Sequence, residues 1–154
     1  MNRSRYLMIA VLAVFIFFLF YSGADNSKTA QDVFQSMEQT VKRGSLEEMT
    51  KRELMQYYGI SSADVSSFVL YGSTSSMDAA EVLVIKAKDS DQLSDLREAV
   101  EARRQEQISK FSGYDEDQVA LLENGYIESR GNFLLYAVGA DAAELDADFR
   151  TGVR

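Results

Sequence analysis

The longest apolar run of the chain lies near its N-terminus. Residues 6–21 read YLMIAVLAVFIFFLFY, with Arg3 and Arg5 just before the run and Asp25 as the first acidic residue after it. A helix of this length spans about 24 Å, slightly less than the ~30 Å hydrocarbon core of a bilayer, and the small residues that flank it can lengthen it. The basic flank predicts a cytoplasmic tip and a single-pass plasma-membrane anchor over residues 1–24, with the N-terminus in the cytoplasm and the rest of the chain outside.

A cleaved signal peptide is the alternative for the same segment. Ser22-Gly23-Ala24 resembles a small-x-small cleavage site, and the mature chain would then begin at Asp25. Bulky residues continue to Tyr21 and the run is long for a signal peptide, which favours the uncleaved anchor. A buried core helix is not expected, because the run has no polar face.

After this run the pattern changes to short amphipathic helices. Lys28–Lys42 carries apolar residues at helical spacing, with Thr29 as a possible N-cap. Ser45-Leu46-Glu47-Glu48 matches a capping box and predicts a second helix that begins there and stops near Tyr58, before Gly59. Three more helices are predicted, over Asp89–Phe111, from Asp115 to Asn124, and from Asp141 onward.

Four β-rich segments are expected to form two hairpins. They are Ser66–Tyr71, Glu81–Lys88, Tyr126–Ser129 and Asn132–Val138. Sequential strands with short connections pair antiparallel, so the pattern predicts one α+β domain over residues 25–154, a four-stranded antiparallel sheet with helices packed on it. Residues 82–85 and 133–138 are apolar at every position, which predicts that they form the central strands.

Composition excludes several kinds of chemistry. The 154 residues include no Cys, His, Trp or Pro, so disulfides, thiolate sites, a Ser-His-Asp triad and His-containing zinc sites are excluded. The net charge of -8 argues against nucleic acid as a partner, and no cofactor or metal is expected. Without Arg3 and Arg5 the net charge is -10, so the outer domain is expected to stand off an anionic lipid surface.

A family resemblance rests on residues spread along the outer domain. They are Tyr58-Gly59-Ile60, Ala80–Lys86, Arg103, Gln107, Phe111, Tyr114, Gln118, Leu122 and Gly131-Asn132-Phe133. In their order and spacing the chain resembles the bacterial extracytoplasmic family catalogued as domain of unknown function 4358, over roughly residues 30–150. The resemblance implies an N-terminal anchor or lipoprotein signal before a domain of this size. It implies no reaction and no catalytic residue. Many members carry a lipoprotein Cys, which this chain lacks.

Two segments suggest ligand chemistry, although each has a simpler interpretation. Asp115-Glu116-Asp117 could bind Ca²⁺, but it lacks the EF-hand spacing and suits the N-terminus of a helix. Gly72–Asp78 is rich in hydroxyls and could bind an anion or a sugar, but it lacks the following helix and the lysine of a phosphate loop. The tyrosines could form a binding platform, or lie at the edges of the core with their hydroxyls in water.

One structural ion pair is predicted, between Glu81 and Arg103. Glu81 alternates with Leu83 and Ile85, so it faces the helix-covered side of its strand. Arg103 and Gln107 lie on the stripe of the long helix where apolar residues are expected. A charge at an inward position needs a partner, and the bidentate fork of arginine suits a carboxylate. In the alternative, Arg103 extends to water and Glu81 is exposed.

These observations lead to two expectations for function. The first is a non-enzymatic, membrane-anchored extracytoplasmic module of the bacterial cell envelope that binds an envelope protein or polymer, which the sequence does not name. No catalytic residue is assigned, and no Ser is followed by Lys three positions on. The alternative is a small carboxylate-based envelope hydrolase or a metal-binding protein.

Overall fold

Residues 24–154 contain six helices and five strands. The computed structural model describes Met8, Val11, Leu12 and residues 24–154. The helices are α1 Ala30–Phe34, α2 Glu38–Arg43, α3 Lys51–Tyr58, α4 Leu93–Phe111, α5 Glu116–Glu123 and α6 Ala142–Gly152. The strands are β1 Leu46–Glu48, β2 Ser67–Ser73, β3 Glu81–Lys86, β4 Tyr126–Arg130 and β5 Phe133–Val138.

The predicted anchor over residues 6–21 lies outside the described residues, apart from Met8, Val11 and Leu12. Among the residues that are described, no helix has both the length and the apolar character needed to cross a bilayer.

The strands form one antiparallel sheet in the order β1-β2-β3-β5-β4. The predicted α+β class is confirmed, but the predicted count of four strands is wrong. The fifth strand is β1, where Ser45-Leu46-Glu47-Glu48 was expected to begin a helix. This segment instead pairs with the edge of β2, with Glu48 opposite Tyr71.

The capping box of this region lies five residues further along the chain. Thr50 is the N-cap of α3, and the Glu53 side chain accepts a hydrogen bond from the Thr50 backbone N–H at 2.8 Å. The hydrogen bonds from the Thr50 hydroxyl and backbone lower the pKa of Glu53 to about 2. Two neighbouring sequences, Ser45–Glu48 and Thr50–Glu53, could each cap a helix here. The second one does so, which leaves Leu46–Glu48 available to extend the sheet. The predicted end at Gly59 is confirmed, because Gly59 is the left-handed C-cap.

The predicted helix over Lys28–Lys42 is two helices. Thr29 caps α1 as expected, in a capping box with Asp32. The chain then turns, and the Ser36 hydroxyl donates to the carbonyls of both Val33 and Asp148 at 2.8 Å. A serine that bonds the carbonyl three residues before it competes with the helical hydrogen bonds, so the break coincides with contact to α6.

Helices cover both faces of the sheet. The first face packs against α3, α4 and α5, through a cluster that includes Leu83, Ile85 and Phe111. The second face packs against α1, α2 and α6, through a cluster that includes Val82, Val84 and Phe149. Because both faces are covered, every residue of β5 and all of β3 except its last are buried. The prediction that these two segments form the interior of the sheet is confirmed.

The strand register places the connections at two opposite ends of the sheet. Glu81 pairs with Gly72 and Val138, so the β2–β3 connection lies at one end, the loop end. Lys86 pairs with Phe133, so the β4–β5 turn lies at the other, the turn end. The two ends are about 17 Å apart along β3.

Candidate functional site

Helix α4 presents three polar side chains on one face, toward the loop end. Arg103, Gln107 and Lys110 follow one another at spacings of four and three residues, which brings them to the same side of a helix. Arg103 and Gln107 replace apolar residues in the stripe that packs on the sheet, and Lys110 lies one turn further along the same face.

These side chains line a cavity of about 240 Å³ at the loop end. Helix α3 contributes Tyr57, and the β2–β3 loop contributes hydroxyls and backbone. The lining residues are Met49, Tyr57, Ser73, Thr74, Ser75, Ser76, Asp78, Ala79, Ala80, Glu81, Arg103, Gln107 and Lys110. The hydroxyl-rich loop and the Glu81–Arg103 pair, which sequence reasoning treated separately, therefore belong to one site.

The structure brings Glu81 and Arg103 into contact at the wall of this cavity. Arg103 Nη2 lies 2.9 Å from Glu81 Oε2, and the two side chains are 11% and 7% exposed, respectively. The other Glu81 oxygen accepts a hydrogen bond from the Tyr58 hydroxyl. The expected bidentate fork does not form, because Tyr58 occupies the second oxygen. The buried Arg103 Nε has no acceptor among the described residues and lies beside the ring of Tyr57, whose centroid is 4.2 Å from the guanidinium carbon.

The electrostatics of this cluster follow from its burial and from the Glu81 charge. Burial lowers the pKa of Arg103, but the attraction of Glu81 outweighs it, and the pKa stands above its ordinary value. Burial, followed by the charge of Glu81, raises the pKa of Tyr58 well above its ordinary value. The same two causes raise the pKa of Tyr136. The cluster therefore favours a charged guanidinium beside neutral phenols.

Two α4 side chains offer the cavity unused hydrogen-bonding groups. Gln107 is 8% exposed, yet its amide makes no hydrogen bond within residues 24–154 and lies in the cavity wall. Lys110 is exposed at the rim and forms no ion pair with any described residue; its Nζ lies 5.3 Å from the ring centroid of Phe111. The amide atoms of Gln107 are not among the buried polar atoms that lack a partner, so they open into the cavity and are free to hydrogen-bond a bound molecule.

The β2–β3 loop is held in shape by its own side chains and by Gln118 of α5. Ser73 Oγ accepts from the Ser75 N–H at 3.1 Å, and Asp78 Oδ1 accepts from the Ala80 N–H at 3.0 Å. Gln118 of α5 accepts from the Ala79 N–H at 2.8 Å. The loop therefore presents the exposed Ser76 and its neighbours in a fixed arrangement above Arg103 and Lys110.

The remaining candidates fit their simpler interpretations. Asp115 caps α5 by accepting from the Gln118 N–H, and Glu116 accepts from the Gly113 N–H. Among the described residues no group of three or more Asp and Glu side chains could hold a metal ion. The tyrosines do not share one surface, since Tyr58 packs on the first face of the sheet and Tyr71 on the second.

Sequence reasoning missed several contributors to the site, among them Lys110 and Gln118. Lys110 was detectable, because it lies seven residues after Arg103 and three after Gln107 on the same helical face. Gln118 was named only among the residues of the family resemblance, and its bond to Ala79 depends on how α5 packs on the sheet.

Comparison with known proteins gives one match. Neither a curated protein nor a solved structure matches the chain. Residues 39–139 match the family described as Domain of unknown function (DUF4358). This segment contains β1 through β5 and the whole lining of the loop-end cavity. The chain therefore belongs to this family of unknown function, as the resemblance in its sequence implied.

Proposed function

We propose that the chain is a membrane-anchored, extracytoplasmic binding module of the bacterial cell envelope, and that its partner docks in the loop-end cavity. The apolar run over residues 6–21 with Arg3 and Arg5 before it supports the anchor and the orientation. The partner is an envelope protein or polymer that places a small polar group between α4 and the β2–β3 loop.

The observation that carries this proposal is the Gln107 amide, which makes no hydrogen bond within residues 24–154 and opens into the cavity between Arg103 and Lys110. The amide can both donate and accept, and the Arg103 guanidinium and Lys110 ammonium stand one turn away on either side. Arg103 is already paired with Glu81, so a carboxylate suits the Lys110 ammonium, which has no ion-pair partner among the described residues, and an adjacent amide or hydroxyl suits Gln107. The cavity of about 240 Å³ has room for roughly eight waters, comparable to one amino-acid or sugar residue. The proposed ligand is therefore a carboxylate-bearing residue of the partner.

The carboxylates of the cavity favour binding over hydrolysis. Glu81 accepts from Arg103 and Tyr58, and Asp78 accepts from the Ala80 N–H. A two-carboxylate hydrolase needs one acid and one base that face a common substrate, and here both carboxylates are engaged within the fold. A melting temperature of the full-length chain that rises on addition of Ca²⁺ would favour the alternative, a metal-dependent protein.

Photo-crosslinking in intact cells tests the docking site. A photoreactive amino acid at Ser76 should give a discrete crosslinked product that disappears when Lys110→Gln and Gln107→Leu are introduced. The same amino acid at Ser129, at the turn end, is the matched control. Equal products from both positions, or a product unaffected by the two substitutions, would contradict the proposal.

The topology has its own test. Protease added to intact protoplasts should degrade residues 25–154 and spare the N-terminus. Protection of the whole domain would overturn the orientation, and a mature N-terminus at Asp25 would instead establish cleavage.

A further inference from the structure

The turn end of the sheet carries a second polar cavity, of about 350 Å³. Its lining includes Glu128, Arg130, Arg150 and Arg154. Three of these residues are arginines and one is acidic. Together with Asp146, which pairs with Arg150, this region has three basic and two acidic side chains, a net charge of +1 on a part of the chain whose net charge is -10.

The guanidiniums of this arginine cluster (Arg130, Arg150 and Arg154) are only partly neutralised. Arg150 Nη2 lies 2.8 Å from Asp146 Oδ2 and 3.6 Å from Glu128 Oε1. Arg130 Nε is 3.2 Å from Glu128 Oε1, but the geometry is not that of a hydrogen bond. Arg130 and Arg150 remain 39% and 43% exposed, and Arg154 forms no ion pair with a described residue. The cluster therefore retains donors for an external anion.

The chain enters the domain beside this cluster. The Asp25 N–H donates to the Val153 carbonyl at 2.6 Å, and Ala24 packs so closely on Gly131 that a Cβ there would lie 2.6 Å from the Ala24 Cβ. Tyr21, the last residue of the apolar run, precedes Ala24 by three residues, and three residues span at most about 11 Å. If residues 6–21 cross the membrane, as the proposed function holds, the arginine cluster must lie close to the bilayer surface.

We infer that Arg130, Arg150 and Arg154 bind the phosphate groups of anionic phospholipids in the outer leaflet and seat the turn end on the membrane. Guanidiniums bind phosphate oxygens with paired hydrogen bonds, and basic side chains near an anionic bilayer are attracted to it. The rest of the acidic domain is repelled by the same surface. The loop-end cavity, about 17 Å further along β3, then faces away from the lipid toward the envelope.

Site-specific fluorescence in vesicles tests this orientation. The chain has no Cys, so Ser129→Cys gives a single labelling position beside the cluster, and Ser76→Cys gives one at the loop end. The full-length protein is reconstituted in phosphatidylcholine, alone or with about one third phosphatidylglycerol, with a nitroxide quencher on the lipid headgroups. Quenching at Ser129→Cys should rise about twofold with phosphatidylglycerol and fall again in high salt, whereas quenching at Ser76→Cys should stay low.

Charge-neutral variants show whether the arginines cause the effect. Arg154→Gln should reduce the phosphatidylglycerol-dependent quenching, and Arg130→Gln with Arg150→Gln should abolish it, whereas Lys110→Gln at the loop end should not change it. Arg154 forms no ion pair in the described fold, so its variant stays informative if the double variant does not fold. Two results would overturn the inference even if the chain floats with the vesicles. One is quenching that does not depend on phosphatidylglycerol, and the other is quenching that Arg154→Gln leaves unchanged. A chain that fails to float with vesicles overturns the anchor itself, and this inference with it.

Discussion

The two ends of the sheet use the same chemical pair, arginine and carboxylate, in opposite ways. At the loop end Arg103 and Glu81 are almost fully buried and share a hydrogen-bonded cluster with Tyr58. At the turn end Arg130 and Arg150 are roughly half exposed and divide their contacts between Glu128 and Asp146. Burial decides what each pair does: the first fixes helix to sheet and shapes a cavity, whereas the second stays available to a surface.

The largest difference between the ends should appear when one member of each pair is removed. Arg103→Ala or Glu81→Ala leaves an uncompensated buried charge and should lower the free energy of unfolding of the full-length chain by about 3–5 kcal/mol. The double variant should lose much less than the sum of the two. Denaturant unfolding of all four proteins gives this coupling energy.

Arg104 and Glu101 form the matched control on the same helix. Their side chains are 22% and 40% exposed, so Arg104→Ala should cost less than about 1 kcal/mol. Additive losses for Arg103 and Glu81, each of this smaller size, would mean that the buried pair does not hold α4 to the sheet.

The next largest effect should come from Gly131, which holds the chain at the turn end. Gly131 and Gly59 both have positive φ, so alanine at either position costs about 1–2 kcal/mol of backbone strain. At Gly131 the added Cβ also collides with Ala24, which should cost a further ~1–3 kcal/mol, whereas nothing lies within 4 Å at Gly59. Unfolding of Gly131→Ala and Gly59→Ala measures the difference. Equal losses would show that Ala24 is not held against the turn.

A pH dependence should separate the buried cluster from the exposed one. The pKa of Tyr58 is raised in the folded state, so above pH 10 the unfolded chain loses the Tyr58 proton while the folded chain keeps it. This difference in proton binding lowers the free energy of unfolding as pH rises, with a limiting slope of about 1.4 kcal/mol per pH unit above the unfolded pKa. The stability difference between wild type and Tyr58→Phe should shrink by about 1 kcal/mol between pH 10 and 11, where the limiting slope is not yet reached. A constant difference would contradict the burial of the phenol.

The smallest effect is expected for the exposed arginines. Arg130→Gln removes a half-exposed contact with Glu128 and should change the free energy of unfolding by less than about 1 kcal/mol, with a further decrease of the effect in high salt. Chemical denaturation at two salt concentrations checks this. A loss as large as that of Arg103→Ala would remove the distinction between the two ends.

The sequence predicted the fold where local and tertiary preferences agree. The apolar segments at 82–85 and 133–138 are buried between two helical layers, and Gly59 ends α3 as expected. It failed at Ser45–Glu48 because a second capping sequence at Thr50 follows directly, and only the free edge of β2 decides between them. The break in Lys28–Lys42 depends on a bond from Ser36 to α6, which no local pattern contains.

Part of the candidate site could be predicted from the sequence for the same reason. The periodicities of the strand and the helix predicted that Glu81 and Arg103 meet, because both residues lie on the buried faces of long, regular elements. The second oxygen of Glu81 was not predictable, because Tyr58 reaches it from a different helix. The position of the β2–β3 loop above α4 likewise depends on Gln118, which is contributed by α5.

Titration of the full-length chain in detergent with N-acetylglutamate, a probe with carboxylates and an amide, tests the loop-end cavity most directly. The account predicts saturable NMR shifts of the Gln107 side-chain amide, with binding weakened about tenfold in Lys110→Gln by loss of a charge-assisted hydrogen bond. Arg154→Gln, at the turn end, should bind as wild type does. Shifts that do not saturate, or that are the same in Lys110→Gln and wild type, would contradict the assignment of this cavity as the binding site.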